Sequence, residues 1–312
     1  MPPITNPDKL LFHDPDFTKA DVAAYYESIT SRMLPHLAGR PLTVERYPNG
    51  VGSKGFFQKR VSKHYPPTLG RFRVATSKGP MEQPVLSTAD DLMFLVNQAA
   101  ITFHVPTSTT AQITNDGESG RPDRLVFDLD PAPGDTAGVR LAAYFVRDFL
   151  DGAGLVGHLM ATGSKGFHVV VPIEIGPSYE VVGDFMHGAS ALVAHERPDA
   201  LTTEFLIRDR EGRVYLDWLR NRSAHATTVA PYSLRARPGA PAATPLTWDE
   251  LADTPPDRWK LDGQIDERPD PWAGFEAARR SLEPALRHIE NRLDETGIEL
   301  VPFDRFGRSP QR

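Results

Sequence analysis

The sequence contains no cysteine among its 312 residues. This absence excludes disulfide bonds, zinc or iron–sulfur sites with thiolate ligands, and a cysteine nucleophile. Any metal ion that this chain binds must therefore be held by oxygen or imidazole ligands.

Long apolar runs are also missing. A membrane-spanning helix needs roughly 18 to 20 apolar residues, and residues 1–10 lack the basic start and apolar stretch of a secretory signal. We therefore expect no membrane association and a location in the cytoplasm. The 40% hydrophobic and 24% charged residues are typical of a globular protein. The 29 prolines outnumber the 24 glycines, which indicates rigid turns between short elements instead of a helical bundle.

Basic residues are outnumbered overall, 35 against 41 acids, but are concentrated locally. The formal net charge is −6, yet residues 40–80 contain nine basic side chains and a single acid, Glu45. Residues 208–237 contain seven arginines against three acids, whereas residues 249–304 contain fifteen acids against seven bases. Two basic segments beside an acidic one are compatible with an anionic ligand such as a polynucleotide, and equally with ordinary solvated faces.

Hydrophobic periodicity predicts a mixed α/β chain without internal repeats. Helices are expected at residues 20–37, 89–99, 137–150, 179–195 and 272–295. Short strands are expected at residues 42–46, 55–59, 71–75, 83–86, 124–130, 157–161, 167–172, 203–207 and 214–218.

The strongest local feature is a strand-like run, residues 124–130, that carries two carboxylates two positions apart. In a strand this spacing places Asp128 and Asp130 on one face, while the alternating apolar residues face a core. Adjacent carboxylates repel each other, which favours a cation between them, and Mg²⁺ or Mn²⁺ suits an all-oxygen site. The alternative is a strand end that runs into the turn at Pro131.

A third carboxylate, Asp217, lies in another apolar strand-like run, where an unpaired acid is costly to bury. If this strand neighbours the first, the three carboxylates can hold two metal ions about 3.5 to 4 Å apart. Such a pair of ions activates an attacking hydroxyl and stabilises a leaving pyrophosphate. The alternative is pairing of Asp217 with a nearby arginine.

A glycine-bracketed turn, Gly163-Ser164-Lys165-Gly166, joins two strand-like runs. Glycines let successive backbone N–H groups converge on an anion, and Ser164, Lys165 and His168 add side-chain donors. The turn suits a triphosphate. It lacks the full P-loop signature, so by itself it is equally typical of an ordinary tight turn.

Phe56 and Phe57 lie within the basic segment, next to Lys59. Aromatic faces beside cations are the combination that stacks bases while neutralising phosphates. Neighbouring residues in a strand point to opposite faces. We therefore expect one ring in the core and the other free.

Together these motifs resemble the polymerase domain of bacterial ligase D, a branch of the archaeo-eukaryotic primase superfamily used in non-homologous end joining. The resemblance runs nearly end to end. Its eight ordered motifs are residues 6–9 with Lys19, 46–51, 56–59, 104–106, 125–131, 163–168, 214–221 and 230–237.

The resemblance implies an α/β (α+β) fold in which an RRM-like catalytic module packs with a second mixed α/β module. The approximate parts are an N-terminal α/β part (1–110) with a DNA-binding basic segment, a catalytic RRM-like part (111–245) and an acidic, helical C-terminal part (246–312).

The resemblance also implies roles for individual residues. Asp128, Asp130 and Asp217 would be catalytic ligands of two Mn²⁺ or Mg²⁺ ions. The incoming nucleoside triphosphate would be bound by Phe57, Ser164, Lys165, His168 and Arg235. DNA would be bound by Lys9, Lys19, Arg46, Asn49, Phe56 and Lys59. Lys9 and Lys19 match the family's pocket for the 5′-phosphate at the far side of a gap.

The implied activity is template-directed addition of nucleotides, with ribonucleotides preferred, to a primer 3′-hydroxyl at short gaps or break ends. The implied partners of this monomer are DNA with a 5′-phosphate, a Ku-like end-binding protein and a separate DNA ligase. The ligase and phosphoesterase modules that often share a chain with this domain are missing. Residues 301–312 look like a natural tail, so we expect a stand-alone polymerase and not an excised domain. Gap repair outside end joining is equally open.

Two other functions are weighed. A haloacid-dehalogenase-type phosphatase has a first motif similar to residues 127–130, but Pro131 and Ala132 follow where a small residue and Thr or Val belong. A non-catalytic DNA-end-binding protein would use the basic segment and the phenylalanines. Carboxylates repel DNA, so a pure binder has little reason to keep three of them.

Overall fold

The computed structural model describes residues 3–76, 79–114 and 119–300. Lys78 of the basic segment and the predicted tail at 301–312 lie outside the described residues. The helices within these ranges are α1 (Lys19–Leu37), α2 (Ala89–Asn97), α3 (Thr136–Gly152), α4 (Tyr179–Glu196) and α5 (Glu283–Thr296). Of these helices, none is both long and apolar enough to cross a membrane.

The strands of the described ranges form two larger sheets and two hairpins. The strands are β1 (Leu10–Phe12), β2 (Phe17–Thr18), β3 (Thr43–Arg46), β4 (Phe56–Gln58), β5 (Gly70–Val74), β6 (Met81–Val85), β7 (Ala100–Val105), β8 (Arg124–Asp130), β9 (His158–Ala161), β10 (Phe167–Pro172), β11 (Leu201–Thr202), β12 (Val214–Asp217), β13 (Thr228–Val229) and β14 (Thr244–Leu246).

The six-stranded sheet has the order β11-β12-β8-β10-β9-β14. Its four central strands and two helices follow each other along the chain as β8-α3-β9-β10-α4-β12, and the neighbouring central strands are antiparallel. This is the β-α-β-β-α-β pattern of an RRM-like module. The expected RRM-like module is therefore confirmed.

One face of this sheet is covered by helices because its strands alternate apolar and polar residues. Leu125, Phe127 and Leu129 of β8 are at most 1% exposed and share a core with α3, α4 and α5. Burying a side chain of this size contributes about 1.5 to 3 kcal/mol. Asp128 and Asp130 lie on the opposite face of β8, which these helices do not cover.

The second module is built on the four-stranded sheet β13-β7-β3-β4, against which α1 and α2 pack in a separate core. Both helices begin at a threonine whose hydroxyl accepts a backbone N–H three residues later, and Asp21 and Asp91 complete capping boxes. The mixed α/β character expected for this half of the chain is confirmed.

The chain passes between the two sheets more than once. Strand β13 falls in the predicted catalytic part (111–245) but pairs with β7 of the N-terminal part, and β14 returns to pair with β9. A buried ion pair, Arg40 with Asp123 at 2.6 Å, also joins the two parts. The boundaries at 110 and 245 stay a prediction.

Two element predictions need correction, and several strands have no counterpart among the predicted ones. The strand expected at 203–207 is wrong, because β11 ends at Thr202 and a 3₁₀ turn occupies Ile207–Asp209 with Ile207 81% exposed. The helix expected at 272–295 begins only at Glu283, because Trp272 and Phe275 are buried in turns with their rings stacked 5.1 Å apart. Strand β7 was not predicted at all.

Candidate active site

Strand β8 brings the central carboxylate into register with side chains of both neighbouring strands. Asp217 on β12 and His168 on β10 each lie opposite Asp128. Residues directly opposite each other in an antiparallel pair share a face, with side chains close enough to interact. The condition set for a carboxylate cluster, that the strand of Asp217 neighbours the strand of Asp128, is therefore met.

A guanidinium lies between two of the carboxylates. The Arg220 Nε is 3.2 Å from Asp128 Oδ2 and 3.1 Å from Asp217 Oδ2. The alternative raised for Asp217, pairing with a nearby arginine, is thus realised and extends to Asp128. On the other side of Asp128, its Oδ1 is 3.3 Å from His168 Nε2. Asp130 Oδ1 is 3.3 Å from Lys165 Nζ.

These contacts give the paired carboxyls different acidities. Burial acts to raise the pKa of Asp128, but His168 and Arg220 outweigh it and lower that pKa well below its usual range. For Asp217, burial and the neighbouring Asp128 charge raise the pKa to about 6, against the lowering effect of Arg220. Burial and the short distance between the two carboxylates thus push the pKa values of Asp128 and Asp217 apart, which is a feature of functional sites.

The donor chemistry of this cluster fits a hard divalent cation, because carboxylate oxygens from adjacent strands already share one cationic atom. Asp217 Oδ1 also accepts hydrogen bonds from Tyr215 Oη at 3.3 Å and Leu219 N at 3.1 Å. Within the described ranges, no three His, Cys, Asp or Glu side chains are grouped as a metal site. Metal binding by Asp128, Asp130 and Asp217 stays a prediction.

The glycine-bracketed turn is a hairpin end between β9 and β10, closed by Thr162, whose N–H and hydroxyl donate to the carbonyl of Gly166 at 3.1 and 2.7 Å. A side chain at Gly166 would meet the Leu129 carbonyl oxygen at 2.1 Å, so only glycine fits against β8. The Gly163 N–H donates to the Pro256 carbonyl at 2.9 Å. The expected row of converging N–H groups is therefore wrong at Gly163, because a protein carbonyl already takes that donor.

A cleft of about 420 Å³ opens beside the cluster, between the two sheets. The predicted residues that line it are Phe57, Asp128, Asp130, Ser164, Lys165, His168 and Arg235. As far as the described residues define the cleft, Asp217 is outside its lining and is joined to it through Arg220. The structure thus brings together every residue predicted to bind the nucleotide.

Sequence reasoning missed several residues of this cleft, among them His104, Arg220, Thr228 and Arg237. The Nε2 of His104 contacts Glu45 Oε1 at 2.8 Å, which fixes the imidazole at the wall of the cleft. His104 and Arg220 each lie inside a motif of the resemblance, so the sequence identifies the segments that contain them. Their roles depend on strand register and could not be read from spacing.

Both phenylalanines of β4 are exposed, 47% for Phe56 and 65% for Phe57. The expectation that one ring is in the core is therefore wrong. The reason is that β4 is a three-residue edge strand, paired on one side with β3. The Phe56 ring lies 5.5 Å from the Arg46 guanidinium, and the Phe57 ring centroid lies 5.8 Å from that of His104.

A second cavity, of about 230 Å³, contains three of the predicted DNA-binding residues, Lys9, Lys19 and Arg46. The Lys19 ammonium is buried and donates to the Thr5 carbonyl at 2.7 Å, the Thr5 hydroxyl at 3.1 Å and Asn97 Oδ1 at 2.7 Å. Burial and the nearby Lys9 charge lower its pKa. Within the described ranges, Asn49 and Lys59 line neither cavity.

Comparisons with known proteins find matches that cover most of this chain. A family model described as "LigD, primase-polymerase domain" matches residues 18–272. The multifunctional non-homologous end joining protein LigD of Mycolicibacterium smegmatis is 34% identical over 308 residues, 96% of this chain and 36% of that protein. The bifunctional non-homologous end joining protein LigD of Bacillus subtilis is 30% identical over 309 residues, 98% of this chain and 44% of that protein. The chain thus spans less than half the length of these curated relatives.

Among solved structures, the chain is similar to the polymerase domain of Mycobacterium tuberculosis ligase D in complex with DNA. The TM-score is 0.81 at 34% sequence identity, and the match covers 89% of this chain and 98% of that chain.

Proposed function

The chain belongs to the LigD primase-polymerase domain family, and from this premise we propose that it is a DNA repair polymerase that adds nucleotides to a primer 3′-hydroxyl opposite a template. The observation that carries the proposal is the shared face of Asp128, His168 and Asp217 beside a cleft with cationic walls. A nucleotidyl transfer needs this combination of a carboxylate cluster and donors for phosphate.

Asp128, Asp130 and Asp217 are the residues that would hold two Mn²⁺ or Mg²⁺ ions. When bound, such ions neutralise charge on the phosphates and make the primer hydroxyl a better nucleophile. Their binding to this cluster is supported by the distances of 3.2 and 3.1 Å from one cationic group, Arg220 Nε, to Asp128 and Asp217, and by burial and the Asp128 charge, which raise the pKa of Asp217 to about 6.

The nucleotide triphosphate would bind along the hairpin turn and the opposite wall. Ser164, Lys165, His168 and Arg235 line the cleft and would supply donors to the phosphate oxygens. Phe57 offers an open ring face for the base. The contribution of these groups would be positioning and charge stabilisation.

The DNA would extend from the cleft across β4 towards the second cavity. Phe56 and the adjacent cations would contact the strand, with Arg46 and Lys59 neutralising phosphates and Asn49 contributing at the exposed turn. Lys9 lines the second cavity, where a 5′-phosphate would end the gap. In support, the similar solved domain is one in complex with DNA.

The preference for ribonucleotides, the monomeric state, the Ku-like partner and the separate ligase belong to this proposal as well. They come from the family resemblance alone; the names of the relatives support only a setting in non-homologous end joining. A gap-filling role outside end joining uses the same site and substrate.

The test is extension of a labelled primer on short-gapped DNA with a 5′-phosphate, with Mn²⁺ and either ribo- or deoxyribonucleotides. Wild type is compared with Asp128→Ala/Asp130→Ala, and DNA binding is measured for both by fluorescence anisotropy. We expect template-directed addition by wild type and none by the variant, with similar DNA affinity, because the phosphate contacts lie elsewhere.

Failure of both proteins to extend, with equal binding to gapped DNA, would instead support the non-catalytic end-binding function. The identity of the nucleotides added by wild type decides the sugar preference. Addition that ignores the template would contradict the proposed polymerase reaction.

A further inference from the structure

The position of Arg220 between two carboxylates indicates a role in cation binding that the proposed function does not include. Its Nε lies within 3.2 Å of both Asp128 Oδ2 and Asp217 Oδ2. A divalent ion binds carboxylate oxygens at about 2.0 to 2.6 Å. Two oxygens drawn that close to one ion leave no room for a guanidinium N–H between them.

The backbone that carries Arg220 is held firmly. Arg220 lies in the 3₁₀ turn Trp218–Asn221 directly after β12. The fully buried Asn221 side chain accepts from Val126 N and donates to Val126 O, each at 2.8 Å, and so ties the turn to β8. Trp218 stacks on His187 with ring centroids 4.1 Å apart. Movement of Arg220 is therefore confined to its side chain.

The side chain itself is poorly locked. It is 42% exposed and lines the cleft. Its Nε–H donates to Asp128 Oδ2, and the same Nε is at ion-pair distance from Asp217 Oδ2, whereas the strong arginine–carboxylate arrangement is a bidentate fork. An arginine held in this way supplies positive charge to Asp128 and Asp217 but is not locked between them.

We propose that Arg220 is an exchangeable counter-cation: it occupies the space between Asp128 and Asp217 in the metal-free protein and is displaced when a divalent cation binds there. The inference rests on the proposed metal role of these two carboxylates. It assigns Arg220 as a positioning residue that keeps the two strands' carboxylates together until a metal ion replaces it.

The test compares Arg220→Gln with Arg237→Gln, which removes an equal charge from the wall of the same cleft. Mn²⁺ alone is titrated into the metal-free full chain, and free Mn²⁺ is measured by electron paramagnetic resonance. Loss of the competing guanidinium should tighten Mn²⁺ binding about tenfold in Arg220→Gln. Arg237→Gln should stay within about threefold of wild type, because it acts only through the screened field of the cleft. Arg220→Lys, which keeps the charge, should bind Mn²⁺ less tightly than Arg220→Gln.

Thermal unfolding gives a second readout. With a chelator present, Arg220→Gln should unfold at a lower temperature than Arg237→Gln, because Asp128 and Asp217 lose their counter-charge. Saturating Mn²⁺ should close that gap. A merely structural role would lower the midpoint by the same amount with and without Mn²⁺ and leave Mn²⁺ affinity unchanged.

Equal Mn²⁺ affinities for Arg220→Gln and Arg237→Gln would overturn the exchange, as would failure of all the proteins to bind Mn²⁺. If wild type still extends primers while the two affinities are equal, the polymerase proposal stands and the exchange alone is lost. If wild type does not extend primers but Arg220→Gln binds Mn²⁺ more tightly, the exchange stands and the polymerase proposal is lost.

Discussion

At the scale of single residues, the two phenylalanines of β4 divide their contacts between the two proposed ligands. Phe57 is 65% exposed and lines the cleft, whereas Phe56 lies against Arg46 outside it. We expect Phe57→Ala to weaken nucleotide binding by about 1 to 3 kcal/mol, the usual loss when one stacking ring is removed. Titration of the DNA-bound protein with a fluorescent nucleotide measures this loss.

The matched variant is Phe56→Ala, which should weaken binding of gapped DNA and leave nucleotide affinity nearly unchanged. Because both rings are exposed, neither change should lower the unfolding temperature appreciably. Equal losses of nucleotide affinity in the two variants would contradict this division.

The two lysines of the second cavity are expected to behave differently, although the resemblance gives them one role. Lys9 is exposed, whereas the Lys19 ammonium makes three hydrogen bonds to Thr5 and Asn97. Lys9→Ala should reduce the preference for a 5′-phosphorylated gap without loss of stability. Lys19→Ala should reduce that preference and also lower the free energy of unfolding by about 1 to 3 kcal/mol, because it removes three hydrogen bonds from a charged donor that tie Thr5 and Asn97 to the start of α1.

Anisotropy with gapped DNA, with and without the 5′-phosphate, measures the first effect, and urea unfolding measures the second. A Lys9→Ala variant that binds both DNAs as wild type does would show that the cavity does not hold the phosphate. A fully stable Lys19→Ala variant would show that its hydrogen bonds do not stabilise the fold.

The residues that sequence reasoning could identify are those whose placement costs free energy without a function. A carboxylate in an apolar strand is such a residue, so the sequence identifies Asp128, Asp130 and Asp217 as candidate site residues. Arg220 was not identified, because an arginine after a strand is common and its contact with Asp128 on β8 depends on how β12 and β8 pair. The expectation that one ring of the pair Phe56 and Phe57 is in the core is wrong because strand alternation says which face a ring is on, not whether that face is covered.

At the scale of elements, the contact between the β9–β10 hairpin and β8 depends on the absence of a side chain at Gly166. A Cβ there would lie 2.1 Å from the Leu129 carbonyl oxygen, which is backbone and cannot rotate away. We expect Gly166→Ala to lower the free energy of unfolding by about 2 kcal/mol or more, in the range of overpacked cores. It should also slow primer extension, since the shift displaces the strand that carries Asp128 and Asp130.

Gly152 offers the control, because it ends α3 and has open space where a Cβ would be. Gly152→Ala should leave stability unchanged or raise it by up to about 1 kcal/mol, as alanine favours the helix. Urea unfolding of both variants checks the signs. Gly166→Ala as stable as Gly152→Ala would mean that the hairpin can move away from β8 at no cost.

Elements were predictable where the local pattern and the tertiary environment agree. Strand β8 and helix α4 appear near the expected bounds because alternation and helical spacing match the faces that are buried. The segment 272–282 has helical spacing of apolar residues, but Trp272 and Phe275 are buried as a stacked pair in turns. Strand β7 directly follows α2, so its apolar run gave no boundary that spacing could detect.

At the scale of the whole molecule, the cleft exists because two sheets with separate cores face each other. Phe57 and His104 come from the four-stranded sheet, whereas Asp128 and His168 come from the six-stranded sheet. Any change in how the two modules pack therefore changes the site. The contacts that fix this packing are as important to the proposed activity as the residues that line the cleft.

A buried charged contact across this joint is centred on Asp123, which is 3% exposed. Its carboxylate lies 2.6 Å from Arg40 Nη2, 3.1 Å from Arg124 Nε and 3.6 Å from Arg279 Nη2. Burial acts to raise the pKa of Asp123, but Arg124 and Arg40 outweigh it and lower the pKa to about 2. The native protein therefore holds this group ionised at a pH where the unfolded chain binds a proton.

The sign of the pH effect follows from the lowered pKa. The stabilisation by Asp123, of order 2 kcal/mol, is fully present above the unfolded pKa of about 4 and is lost as pH falls from about 4 towards 2. Asp123→Asn should cost about 3 kcal/mol or more at pH 7, because it leaves Arg40 buried without its partner. It should also make the free energy of unfolding fall less steeply below pH 4.

Urea unfolding at pH 7, 5, 4 and 3 for wild type and Asp123→Asn checks both parts of this prediction. The comparison between the two proteins isolates Asp123, because every other carboxylate titrates in both. Parallel curves below pH 4 would show that Asp123 is not held ionised by the arginines. A variant that keeps wild-type stability at pH 7 but loses primer extension would show instead that the ion pair aligns the two modules without stabilising them. That outcome would mean that the apolar contacts of the two cores, and not this ion pair, supply the free energy that holds the two modules together.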